Sequence, residues 1–296
     1  MPAHMTLSHL SGSSVVEQQF PLVFAVRDPE GHKGTFGSVG ILGGAPGMTG
    51  AVILAGRAAL KSGVGKTYLA LAQTPLPVAY DSNYPELMLH EASGLIESAS
   101  SMTAWVAGCG LGQAPAALAL LRRLFAVRAE LPLVLDADAL NALAQGEISN
   151  TWGKGLVVLT PHPTEAARLL QTDTRTIQSD RAQAAQTLAH RYRAWVVLKG
   201  AGTIICSPEG QWQINTTGNV SLATGGTGDV LSGLLGSLLA QGIPAEQAIP
   251  AGVWLHGAAA DALVSQGKGP IGLTAGELPD AIRDLRNRVS FKENHK

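Results

Sequence analysis

From residue 39 onward, short apolar runs alternate with longer Ala/Leu-rich stretches in which apolar residues recur at helical spacing. The runs at 39–42, 66–72, 105–109, 133–135, 156–159 and 195–198 read as strands. The stretches at 49–62, 114–127, 139–144, 164–170 and 179–192 read as helices. Continuously apolar strands separated by helices predict an α/β fold with a mostly parallel central sheet and helices on both faces. The segment 203–214 breaks the rhythm. Two short runs, 203–206 and 211–214, flank Pro208, Glu209 and Gly210, which predicts a β-hairpin. Three helices, near 228–241, 245–265 and 274–286, complete the pattern. No linker, repeat or low-complexity tract interrupts it, so residues 20–290 are expected to form a single catalytic domain, with a flexible leader at 1–19 and a tail at 291–296.

Composition sharpens this picture. Charged residues make up 15% of the 296-residue chain, against roughly 25% in ordinary soluble domains. Two covered sheet faces, with further surface buried between subunits, account for the shortfall and lead us to expect a homo-oligomer. A net charge of −1 without a Lys/Arg cluster gives no footprint for nucleic acid. No apolar run approaches the roughly 20 residues that span a bilayer, so no membrane association is expected. The first 14 residues lack the basic-then-apolar order of a secretory signal. Cys109 and Cys206, each in an apolar run, read as reduced core thiols of a cytoplasmic protein.

Three glycine clusters are candidates for cradling phosphate. Gly63, Gly65, Lys66 and Thr67 imitate the end of a P-loop, but Leu60 stands where that motif needs glycine. The segment also ends a helix and feeds a strand, the reverse of a P-loop, so a helix C-cap explains it. Gly108, Gly110 and Gly112 follow a strand and precede a helix. Their spacing is not that of a dinucleotide fingerprint, and no acidic residue sits at the end of a second strand about 20 positions on. The loop is either a turn that lets substrate approach the backbone or a turn alone.

The third cluster, Gly225-Gly226-Thr227-Gly228-Asp229, runs straight into a long helix. Small residues let backbone N–H groups converge where the helix dipole is positive, which makes an anion site. A carboxylate there stands where an acceptor hydroxyl meets a phosphoryl donor: Asp229 takes the proton while N–H dipoles stabilise the transferred group. Other residues gather at strand ends. His162, held between Pro161 and Pro163, either contacts ligand or caps a helix. Lys199 opens a glycine-containing loop and suits a nucleotide phosphate. Asp136 and Asp138 either orient substrate or metal or cap the next helix. No cluster has the spacing of a structural metal site, and the metal ligands stay unassigned.

Taken in order, the segments 32–37, 43–51, 108–112, 160–165, 199–203 and 225–229 resemble the ADP-dependent NAD(P)H-hydrate dehydratase family, of the ribokinase-like superfamily. The resemblance runs from about residue 20 to residue 288. It implies a ribokinase-like three-layer fold and a lyase that repairs nicotinamide cofactors. The substrate would be the S epimer of hydrated NADH or NADPH, with a hydroxyl at C6 of the ring; ADP would phosphorylate that hydroxyl and phosphate would leave, giving NAD(P)H, AMP and phosphate. Carried onto this sequence, Asp229 deprotonates the hydroxyl, and Ala51, Gly110 and His162 contact the hydrated cofactor. Lys199, Gly200, Ala201, Gly202, Thr203 and Gly228 line the ADP site, with Asn219, Gly225, Gly226 and Thr227 nearby. The resemblance also implies Mg2+, a homotetramer and, because the amino-terminal epimerase domain of many relatives is not expected here, a separate NAD(P)H-hydrate epimerase as partner. The nearest alternative is a ribokinase-like kinase of a small-molecule alcohol, which would release a stable phospho-product. A nucleotide-binding sensor and a NAD-dependent dehydrogenase are more distant ones.

Overall fold

The computed structural model describes residues 5–6 and 13–290. Its strands are β1 (Met5–Thr6), β2 (Ser38–Gly43), β3 (Lys66–Leu71), β4 (Met88–Glu91), β5 (Ala104–Ala107), β6 (Leu133–Leu135), β7 (Val157–Leu159), β8 (Trp195–Leu198), β9 (Thr203–Cys206) and β10 (Trp212–Asn215). They form one sheet in the order β1-β10-β9-β8-β7-β6-β5-β2-β3-β4. All neighbouring pairs are parallel except those of β9, which runs antiparallel to both β8 and β10. The β9–β10 pair is the hairpin expected from the 208–210 turn.

The helices are α1 (Ser13–Gln19), α2 (Thr49–Lys61), α3 (Ala92–Glu97), α4 (Pro115–Val127), α5 (Ala137–Ala144), α6 (Pro163–Leu170), α7 (Thr174–Ser179), α8 (Arg181–Tyr192), α9 (Thr227–Ala240), α10 (Ala245–Ser265) and α11 (Leu278–Ser290). Because successive strand residues point to opposite faces, each apolar run feeds two cores. Ile41, Val106, Val134, Val158 and Val197 pack with α2, α9, α10 and α11. Leu42, Trp105, Leu135, Leu159 and Leu198 pack with α4, α5, α6 and α8. The result is the three-layer, mostly parallel α/β architecture expected.

Several boundaries differ, each for a local reason. Part of the stretch expected to be a leader is built into the fold: α1 buries Val16, and Phe20, Val23 and Phe24 follow it into the same core. Residues 1–4, 7–12 and the 291–296 tail lie outside the described residues. The helix expected at 179–192 begins two residues later, at Arg181, because Asp180 accepts a hydrogen bond from Gln183 N and caps α8; the short α7 just before it was not expected. Strand β4 and helix α3 were not expected; β4 is only half-buried at the sheet edge and shows no alternation. Strand β5 stops at Ala107, so Cys109 lies in the following loop and not in a strand. Both cysteines are free and buried. Among the described residues, no helix is long and apolar enough to cross a membrane.

Candidate active site

The parallel strands deliver their carboxyl ends to one edge of the sheet, and the order reverses between β5 and β2, where open α/β sheets form a ligand crevice. There the two glycine loops are stitched together: Gly44 N donates to Cys109 O (3.0 Å) and Ala45 N to Gly110 O (2.7 Å). A β-carbon on Gly110 would sit 3.0 Å from Ala51 Cβ, so the structure brings these two predicted substrate contacts together.

Beside this crevice opens a cavity of about 870 Å3, within the range of ligand sites. Lys199, Gly200, Ala201, Gly202, Thr203, Asn219, Gly226, Thr227, Gly228, Asp229 and His162 all line it. Gly225 is exposed beside it. Ala51 and Gly110 lie outside its lining, on the crevice side.

The first turn of α9 forms the centre. Its N-cap is Gly226, at φ 91°, a conformation glycine adopts without strain. Thr227 N donates to Thr224 O (3.4 Å), but with no side-chain cap the N–H groups of Gly228 and Asp229 keep their capacity for a ligand. Behind the turn, His256 on α10 is buried and places Nε2 2.9 Å from Thr227 O. Burial pushes its pKa down to about 4, so the ring is neutral and Nε2–H donates, bracing the turn.

Asp229 projects from this turn beside the Cys109 thiol. Burial, followed by the charge of Asp136, pushes its pKa up to about 6, while Cys109 and Lys199 pull it the other way. Burial and the Asp229 charge hold the Cys109 thiol well above its ordinary value, so it stays protonated. A carboxylate poised near neutrality in a cavity is what proton abstraction at physiological pH requires.

Asp136 settles between its two sequence readings by doing more than either. It caps α5 by accepting from Ala137 N (2.9 Å). It also accepts from Lys199 Nζ and Ser232 Oγ, both at 2.7 Å, at 1% exposure. Lys199 is thus held down by a buried partner, with Glu165 Oε2 a further 3.8 Å contact. Burial alone would lower the lysine pKa, but the two carboxylates outweigh it and the net shift is upward. Asp138 acts elsewhere, on the 108–112 loop, which it fixes by accepting from Gly112 N at its Oδ2 (2.8 Å).

His162 is the N-cap of α6. Its Nδ1 accepts from Thr164 N (3.1 Å) and Glu165 N (3.4 Å), and Glu165 Oε2 accepts from His162 N (2.7 Å), closing a capping box. An Nδ1 that accepts leaves the ring proton on Nε2. Burial and the Lys199 charge lower the imidazole pKa, so the residue that lines the cavity is a neutral N–H donor. Asn219 is tied down at both amide atoms, by Asp261 Oδ1 (2.8 Å) and by Ser221 N (3.0 Å) and Oγ (2.6 Å), and so shapes the 216–223 strap. The 32–37 motif precedes β2 and lies at the opposite, amino edge of the sheet. A β-carbon on Gly37 would meet Ala240 O at 1.9 Å.

Sequence reading did not single out Ser232, His256 or Arg181. Each meets its partner from another element at least 17 positions away, and none stands in a glycine cluster or strand-end motif that draws attention to it.

Comparison with known proteins gives a consistent outcome. The model of the family described as NAD(P)H-hydrate dehydratase matches residues 39–283. An ADP-dependent (S)-NAD(P)H-hydrate dehydratase of Neisseria meningitidis is 44% identical over 95% of this chain and 97% of its own length. A bifunctional NAD(P)H-hydrate repair enzyme of Moorella thermoacetica is 40% identical over 89% of this chain; the match spans 52% of that longer relative. Among solved structures, the ADP/ATP-dependent NAD(P)H-hydrate dehydratase of Bacillus subtilis, co-crystallised with ATP and Mg2+, superposes with a TM-score of 0.81 at 31% identity, covering 94% of this chain and 97% of that one.

Proposed function

This chain belongs to the NAD(P)H-hydrate dehydratase family, and from that premise we propose that it dehydrates the S epimer of hydrated NADH and NADPH with ADP as phosphoryl donor. The observation that carries the chemistry is Asp229: a half-buried carboxylate with a pKa of about 6, at an uncapped helix N-terminus, between a large cavity and the Gly110–Ala51 crevice.

On this reading the hydrated nicotinamide lies on the crevice side, against Ala51 and Gly110, and ADP lies along Lys199, Gly200, Ala201, Gly202 and Thr203 to Gly228. Hydroxide is a poor leaving group. Asp229 therefore takes the proton of the C6 hydroxyl as its oxygen attacks the β-phosphorus of ADP and the bond to AMP breaks. The α9 N–H groups stabilise charge on the transferring phosphoryl group. Phosphate then leaves with the C–O electron pair, pushed by the ring nitrogen, and a proton departs from the neighbouring carbon, restoring the dihydronicotinamide. His162 donates through Nε2–H to the bound cofactor.

Mg2+ suits this site as a phosphate-borne ion. Among the described residues no group of three or more His, Cys, Asp or Glu side chains is arranged to hold a metal, and Mg2+ commonly binds through substrate phosphates and one or two carboxylates. Asp136 and Asp229 are carboxylates in the same cavity. When bound, the ion neutralises phosphoryl charge. The proposal extends to a cytoplasmic homotetramer served by a separate epimerase. The Neisseria relative, named as a dehydratase alone and matched over 97% of its length, supports the last point.

The test is an absorbance assay with hydrated NADH, Mg2+ and ADP. A rise in dihydronicotinamide absorbance that requires nucleotide and stops when the S epimer is consumed is the expected result. No rise from folded protein, with a phosphorylated alcohol accumulating instead, would transfer the site to a kinase.

A further inference from the structure

Behind the 199–203 loop, on the side away from the cavity, lies Arg181, the first residue of α8. Its Nη1 donates to Ala201 O (3.1 Å), and its Nη2 donates to Leu198 O (3.0 Å) and Lys199 O (3.3 Å). One guanidinium thus gathers three carbonyls from four consecutive residues. All three bonds end on backbone oxygens, so the charge is delivered to the loop itself.

Peptide geometry fixes what this does to the N–H groups. In a trans peptide the C=O and the following N–H point in opposite directions. Drawing Lys199 O and Ala201 O onto Arg181 therefore turns the N–H groups of Gly200 and Gly202 away from it, and both glycines line the cavity. The third peptide is already used, since Lys199 N donates to Pro161 O (2.9 Å). Gly200 adopts φ 141°, and a β-carbon there would come within 2.6 Å of Arg181 Nη1. The glycine and the arginine are therefore fitted to each other.

Charge adds to this. Lys199, the cation nearest the same loop, is bound to Asp136 and approached by Glu165, so it brings no net positive charge to an incoming diphosphate. Arg181, permanently charged, does.

We propose that Arg181 is a positioning residue of the nucleotide site: it aims the Gly200 and Gly202 N–H groups into the cavity and supplies the positive potential behind them that a nucleoside diphosphate meets. This rests on the reading that the 199–203 loop receives ADP.

The experiment measures ADP binding by calorimetry and, in parallel, steady-state kinetics for the wild type, Arg181→Met and Arg181→Lys. For Arg181→Met the ADP Kd and the KM for ADP are expected to rise by about tenfold or more. The kcat at saturating ADP and the KM for the hydrate should stay near wild type. Arg181→Lys should recover part of the loss, because one ammonium keeps the charge without the fork. A Met variant that binds ADP like the wild type overturns the inference, and so does a fall in kcat with the KM for ADP unchanged. If Arg181→Met does not fold, the Lys variant decides by the same split between the two KM values. Failure of the wild type to bind ADP would instead remove the reading of the site itself.

Discussion

The two edges of the sheet both carry glycine loops, and they use glycine for opposite reasons. At the amino edge, Gly65 enters β3 with its α-carbon pressed against the 32–37 segment; a β-carbon there would stand 1.9 Å from Lys33 O. At the carboxyl edge, a β-carbon on Gly228 would find Lys199 Nζ at 3.4 Å and Asp136 Oδ2 at 3.7 Å, ordinary contact distances. Gly65 is small because protein fills the space. Gly228 is small beside space that protein leaves open, over a floor of charged groups. The difference separates a packing glycine from one that admits a ligand, and neighbouring sequence does not reveal it: the amino-edge cluster is the one that imitates a P-loop.

The largest test of this contrast removes the chemistry at the carboxyl edge alone. Asp229→Asn should lower kcat by about 10²–10⁴-fold, the usual worth of a general base, while calorimetry shows ADP binding intact. Loss of binding in step with kcat would make Asp229 a structural cap. Next comes the same substitution at both edges. Gly65→Ala should destabilise the protein by about 1–3 kcal/mol through overpacking, read by denaturant unfolding, with the KM for ADP unchanged. Gly228→Ala should keep or raise stability, since alanine favours a helix, but raise the KM for ADP by roughly tenfold by placing a methyl group on the cavity floor. If both variants move the same quantity, the two edges are not distinct.

The smallest effect is a shift in pH dependence. Asp229 works ionised and its pKa is raised to about 6, so kcat/KM should be full well above pH 6 and fall as pH drops through it. The Asp136 charge contributes to that elevation. Asp136→Asn removes it and leaves Lys199 without its buried partner, and both changes favour the ionised base. The acid limb should move to lower pH. A limb that stays in place, or moves up, would show that Asp136 does not set the basicity of Asp229.

The sequence made much of this legible where the signal is local. Continuous apolar strands predicted a parallel sheet, and a run of four small residues before Asp229 marked the turn that opens α9 at the cavity. What it did not reveal depends on contacts between distant positions. Lys199 reads as a free cation until Asp136, 63 residues earlier, is seen 2.7 Å from its ammonium. His256 sits in an apolar helix, and only the fold turns its ring to Thr227 O. His162 presented two alternatives, ligand contact or cap; the fold makes it a cap whose ring also faces the cavity. The leader was misjudged because α1 is short, and its burial of Val16 depends on packing against α11, near the other end of the chain.

The antiparallel hairpin at the far side of the sheet also sets apart the two halves of the site. The 199–203 loop and the 216–223 strap flank β9 and β10, beyond which, among the described residues, lies the two-residue β1. Asp229 instead stands on α9, packed over the middle of the sheet against α2 and β5. Elements held by few buried apolar contacts open at lower free energy than the core. On the proposed reading, nucleotide exchange would fall to the loop and strap beside this hairpin, while Asp229 stays with the packed centre of the sheet.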